Sequence, residues 1–176
     1  MPSRRLKMQG RTMTQHNNLS TDAFWHYSTS LYQQPQAASL CLRLQDTAGV
    51  NVNMLLMLCW CLQEQQIVVL KQWQTLKAAI GHSEQLLVKH RLHRKAAKAP
   101  SHPEHHRYAE LKQQELVLEA QQQEELVTVL NNLLVETSDI RGINASVVAF
   151  IHAYQLRDNE QAIADIRSLI KLALAD

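Results

Sequence analysis

Apolar residues return at the three- and four-residue spacing of a helix along nearly the whole chain. No stretch alternates apolar and polar residues long enough to argue for a sheet. The widest apolar face falls early. Wound at about 100° per residue, Phe24, Trp25, Tyr27, Ser28, Leu31 and Tyr32 share an arc of roughly 160°. His26, Thr29, Ser30 and Gln33 take the other side. Ser20 supplies an N-cap, Asp22 an acid in the first turn, and Leu19 with Phe24 a hydrophobic staple. Such a face docks on a core. Trp25 and Tyr32 stand at its rim, where a small-ligand cleft is the competing use.

Further helices follow from their start and stop residues. A second runs from Pro35 to Gly49, an N1-type and a C′-type position. A third begins after Asn51 and is apolar nearly all round from Val52 to Leu62, with Asn53 the exception. A helix without a polar face is buried on several sides, so this one is expected at the centre. A fourth starts near Val68, with Trp73, Leu76 and Ile80 on one side; Gly81 and Ser83 offer a stop and a new cap. Helix resumes through Leu87 to about Lys98, ahead of an exposed linker at Ala99–Pro103. A long helix is expected from about Glu104 to about Leu134, wet over much of its length because Gln113, Gln114, Gln121, Gln122 and Gln123 dilute its apolar positions. Asn144 caps a short helix, and Asp158 with Gln161 resembles a capping box for the last one. The predicted fold is all-α, a single-domain bundle of about six to seven helices with a long helical hairpin around residues 84–134. Its domain spans residues 19–176, with an exposed Pro/His linker at 99–106.

Composition narrows the class without naming an activity. The apolar share, 45%, suffices for a sizeable core, and a formal charge of +2 creates no field that demands nucleic acid or membrane. The longest apolar run, Met54–Leu62, is far short of the roughly 20 residues that span a bilayer. Residues 1–18 carry Arg4, Arg5, Lys7 and Arg11 but no apolar signal region, and read as a disordered basic segment; Met13 is the favoured start. Cys41, Cys59 and Cys61 are odd in number and each falls in a helical pattern, which fits a reducing cytoplasm.

The chemistry-bearing candidates are few. Lys89, His90, Arg91, His93, Arg94, Lys95 and Lys98 form an acid-free basic tract. Lys89, Arg91, Arg94, Lys95 and Lys98 could serve an anionic partner such as nucleic acid or the ribosome. They could equally face Glu104, Glu110, Glu115, Glu119, Glu124 and Glu125 of the following helix in an antiparallel hairpin, or water. His102, His105 and His106 lie at the linker without a zinc framework. Cys59 and Cys61 point roughly 200° apart on a helix and cannot share a metal. No glycine-rich phosphate loop, nucleophile elbow or paired carboxylate motif is present, so no catalytic, cofactor or metal residue is assigned.

The motifs Phe24-Trp25-x-Tyr27-Ser28-x-x-Leu31-Tyr32, Leu44-Gln45-Asp46 and Val52-Asn53-x-Leu55-Leu56 resemble a small all-helical gammaproteobacterial family of unknown function. Trp60 fits its third helix, and Trp73 followed by the tract after Lys89 fits its continuation. The likeness covers residues 20–98 well and the rest loosely. The Gly81-His82-Ser83 stretch is more polar than the family pattern. The resemblance implies a fold and a bacterial cytoplasm, with no activity. The functional expectation is a non-catalytic module that binds a protein partner. The alternatives are a nucleic-acid- or ribosome-associated module using the basic helix, and a ligand binder or enzyme with a cleft at Trp25 and Tyr32.

Overall fold

The computed structural model describes residues 13–175. Helix α3 (Val52–Gln63) is the hub. Asn51 caps it by accepting the Met54 N–H at 2.8 Å, and every side chain from Asn53 to Leu62 is buried. Helices α1 (Thr21–Tyr32), α2 (Pro35–Ala48), α6 (Tyr108–Asn131), α7 (Ala145–Ala153) and α8 (Glu160–Ala173) pack around it. Helix α1 lays its aromatic face on α3: Phe24 is fully buried and stacks on Trp60. Its cap is Ser20, whose Oγ accepts from the Ala23 N–H at 3.2 Å.

Pro35 opens α2, and Gly49, at φ 65°, closes it in the left-handed conformation that a residue without Cβ adopts at low cost. Val50 then returns its N–H to the Leu44 carbonyl at 3.3 Å. Helix α2 lies along α8. There Arg43 donates Nε to Asp165 Oδ2 at 2.7 Å and Nη2 to Oδ1 at 2.5 Å, and Gln161 Nε2 adds a third bond at 2.9 Å. The cap of α8 is Asn159, bonded to the Ala162 N–H at 2.9 Å, in place of the expected Asp158. Asn144 caps α7 as expected, accepting from the Ser146 N–H at 2.8 Å.

The chain breaks after helix α4 (Leu70–Ala79), and Gly81 heads helix α5 (Gly81–Ala97) instead of ending a helix. Ser83 is no cap: its hydroxyl lies 3.1 Å from the Ile80 carbonyl and 2.9 Å from Glu125 Oε2. With that break the described residues form eight α-helices, arranged as an all-helical bundle. The long helix also stops earlier than expected. It ends at Asn131, because Leu134–Thr137 leave as strand β3.

That strand belongs to a small antiparallel sheet of order β1-β3-β2, with β1 at Met13–His16 and β2 at Gln66–Ile67. Met13 pairs with Thr137, which pairs on its other side with Gln66. No alternation announced these strands, since their stability comes from backbone bonds between segments far apart in sequence. The basic stretch expected to be disordered lies, for residues 1–12, outside the described residues. Among the described residues regular structure starts with a strand at Met13, ahead of the Leu19 where the first local signals stand. Leu19 itself is held by Asn131, which accepts its N–H at 2.9 Å and donates to its carbonyl at 3.0 Å.

Candidate functional site

The basic helix and the acidic helix form the expected antiparallel hairpin, α5 against α6, joined through residues 98–104 and a 3-10 turn at His105–Arg107. Histidines close its tip. His105 Nδ1 lies 2.9 Å from the Ala97 carbonyl, His93 Nε2 meets Glu104, and His102 Nδ1 accepts the Glu104 N–H at 3.1 Å. The bond from His93 holds the Glu104 carboxyl below its usual range. Along the shaft, Arg91 lies 3.6 Å from Glu115 and 3.5 Å from Glu119. Arg94 Nε donates to Glu115, with Nη2 3.4 Å from the second oxygen. Thus two of the five candidate cations are spent inside the molecule. Lys89, Lys95 and Lys98 are exposed and form no ion pair among the described residues.

Tyr32 approaches this ion cluster from α1. Burial pushes its hydroxyl up to about 12; Cys41, Glu119 and Glu115 push the same way, while Arg91 opposes. Burial also raises the Glu119 carboxyl above its ordinary value, outweighing the pull of Arg91. Trp25 and Tyr32 are both half-buried. An apolar groove of about 720 Å³ runs between Leu40 of α2 and Leu172 of α8, and a smaller one lies between Ala79 and Glu125; neither is lined by Trp25 or Tyr32. The three thiols are free, buried and raised by desolvation, Cys41 and Cys61 to about 12, which makes them poor nucleophiles. Among the described residues no three His, Cys, Asp or Glu side chains converge as a metal site, and no helix is long and apolar enough to cross a membrane.

A polar constellation at the base of the hairpin was missed in the glutamine-rich stretch. Gln122 and Gln123 are not wet but fully buried. Gln122 Oε1 accepts from Asn51 Nδ2 and Asn53 Nδ2, each at 2.9 Å, and its Nε2 donates to Ser83 Oγ at 3.0 Å. Gln123 Nε2 donates to Asn53 Oδ1 at 3.0 Å, and Asn51 Nδ2 also meets Glu84. The one signal available was Asn53, a lone amide on an otherwise apolar helix. A buried amide requires partners, and the glutamines of α6 offer both a donor and an acceptor.

Comparison with known proteins adds a family and no activity. No curated protein and no solved structure is significantly similar to the chain. The model of one family matches residues 23–126, from the aromatic face of α1 through Leu126 of α6. The matched stretch therefore contains the stacked aromatic pair, the buried amides and the ion pairs between α5 and α6. It spans more than half of the chain, so the chain belongs to the family described as "Protein of unknown function (DUF2390)".

Proposed function

We propose that the chain is a non-catalytic protein-binding or adaptor module of a bacterial cytoplasm, and that it meets its partner with the outer side of the α5–α6 hairpin. The observation that carries this reading is apolar exposure on that hairpin. Val88 and Leu92 of α5 and Leu116 and Val117 of α6 are exposed, Leu92 by 66%. Contiguous exposed apolar surface marks interaction sites, and Val88 with Leu92 stand one helical turn apart on the same face of α5. Lys89, Lys95 and Lys98 add an unpaired positive rim. Three free, buried thiols support a reducing compartment. The test is affinity capture by the full chain from cell extract, beside Leu92→Asp and Val117→Asp. A stoichiometric protein that both substitutions release supports the reading. Its absence, or its retention by both variants, counts against it.

A polyanion such as RNA is the second reading, supported by the same three lysines on a helix with no acid after Glu84. Phosphate binding must weaken steeply with salt. A mobility shift at low salt that disappears in Lys89→Ala/Lys95→Ala/Lys98→Ala favours it. No shift at low salt removes it.

A further inference from the structure

Helix α5 is fastened by contacts of a different kind from those that hold α3. It fully buries only Leu87 and Ala97, and these, with Leu111 of α6, lie apart from the contiguous apolar core. The remaining fastenings are polar. Ser83 and Glu84 meet Gln122 near the start, and His90 Nε2 lies 2.7 Å from the Leu111 carbonyl. Arg91 and Arg94 meet Glu115 and Glu119 in the middle, and His93 meets Glu104 at the tip. The start of α5 is built as a joint. Ile80 is anchored in the core, gives no side-chain cap, and precedes a glycine with open space where its Cβ would stand.

We infer that α5 is a latched arm, which opens from α6 about the Ile80–Gly81 joint while the core around α3 stays folded. Two physical facts lead there. Local opening follows buried apolar contact, and α5 has little of it. Water replaces polar fastenings at small net cost, and ion pairs return their desolvation penalty when they open. The latch is also a mask. Closed, the arm presents Lys89, Lys95 and Lys98; open, Arg91 and Arg94 join them, freed from the acidic stripe of α6. The inference stands independently of the protein-binding reading, since it concerns the chain without a partner.

Hydrogen–deuterium exchange of the full chain at neutral pH tests it. Peptides from residues 81–97 are expected to exchange at least about tenfold faster than peptides from 52–63, because they open locally while the latter wait for global unfolding. Glu115→Gln, which keeps the shape and removes the charge shared by Arg91 and Arg94, is expected to accelerate residues 81–97 and leave 52–63 unchanged. Equal rates in the two segments of the unsubstituted chain would overturn the arm. A Glu115→Gln variant that leaves 81–97 unchanged, or accelerates both segments alike, would overturn the latch.

Discussion

Phe24 stacks on Trp60 with ring centroids 4.9 Å apart and planes inclined by 17°, and this contact joins the first helix to the central one. Both rings are buried, Phe24 completely and Trp60 to 4% exposure. Truncating either to Ala leaves a cavity that a close-packed core fills only in part, so each is expected to cost about 3–5 kcal/mol. The double substitution should cost less than the sum, by about 0.5–1.5 kcal/mol, because the stacking term is lost only once. Urea unfolding of the four proteins measures this. Strict additivity would show that the rings are neighbours without being partners.

The buried amides give a second expectation. Gln122→Ala strands Asn51 Nδ2 above one remaining acceptor and takes from Asn53 Nδ2 its 2.9 Å bond. Each donor left short inside the protein costs about 1–3 kcal/mol, so the variant should unfold at clearly lower denaturant. Gln122→Glu keeps an acceptor but sets a second carboxylate beside Glu84, 3.4 Å from the present Nε2. Like charges so close raise a carboxyl's folded pKa above its unfolded value. Relative to the unsubstituted chain, the variant's stability should then be best kept in acid and fall as pH rises through the folded pKa. A denaturation series of both proteins from pH 4 to pH 8 reads the slope of their difference, and a difference that does not change with pH would contradict the placement.

How far such features are legible depends on where their cause lies. The caps at Ser20, Asn51 and Asn144, the stop at Gly49 and the apolar helix from Val52 are local, and each stands where its residues put it. The hairpin was legible because charge pattern and linker composition point the same way. The sheet was not, for Gln66 and Thr137 find each other only after the helices are placed. Gln122 and Gln123 failed for the opposite reason. Their polarity argues for water, and the partners that offset their burial, Asn51, Asn53 and Ser83, stand 39 to 71 residues away in sequence.

Glu119 should behave unlike an ordinary ion-pair partner. Its carboxyl is raised mainly by burial, with the attraction of Arg91 too weak to compensate. A folded pKa above the unfolded one means that the fold prefers the protonated acid. The contribution is fully present below the unfolded value of about 4.3, and is lost as pH rises through the higher folded value. Glu119→Gln fixes the neutral form. It is therefore expected to leave stability at pH 7 unchanged or slightly higher, and to flatten the profile just above pH 4. Loss of more than about 1 kcal/mol at pH 7 would show that the Arg91 pair outweighs desolvation.

Asp165 carries the opposite sign. Its carboxylate is held below the usual range, first by the hydrogen bond from Arg43; burial opposes this, and the Gln161 bond and the Arg43 charge add to the lowering. A depressed folded pKa gives stability that is present above the unfolded value of about 3.9 and is lost as pH falls through the folded one. Asp165→Asn should therefore lower stability at pH 7 and weaken the acid limb below about pH 4. Arg43→Lys separates charge from shape. It keeps a cation on α2 but cannot reproduce the two parallel bonds to Oδ1 and Oδ2. It is expected to fall between the unsubstituted chain and Arg43→Ala in urea midpoint at pH 7. Convergence of Arg43→Lys with the unsubstituted chain would assign the whole effect to charge, and convergence with Arg43→Ala would assign it to the paired geometry.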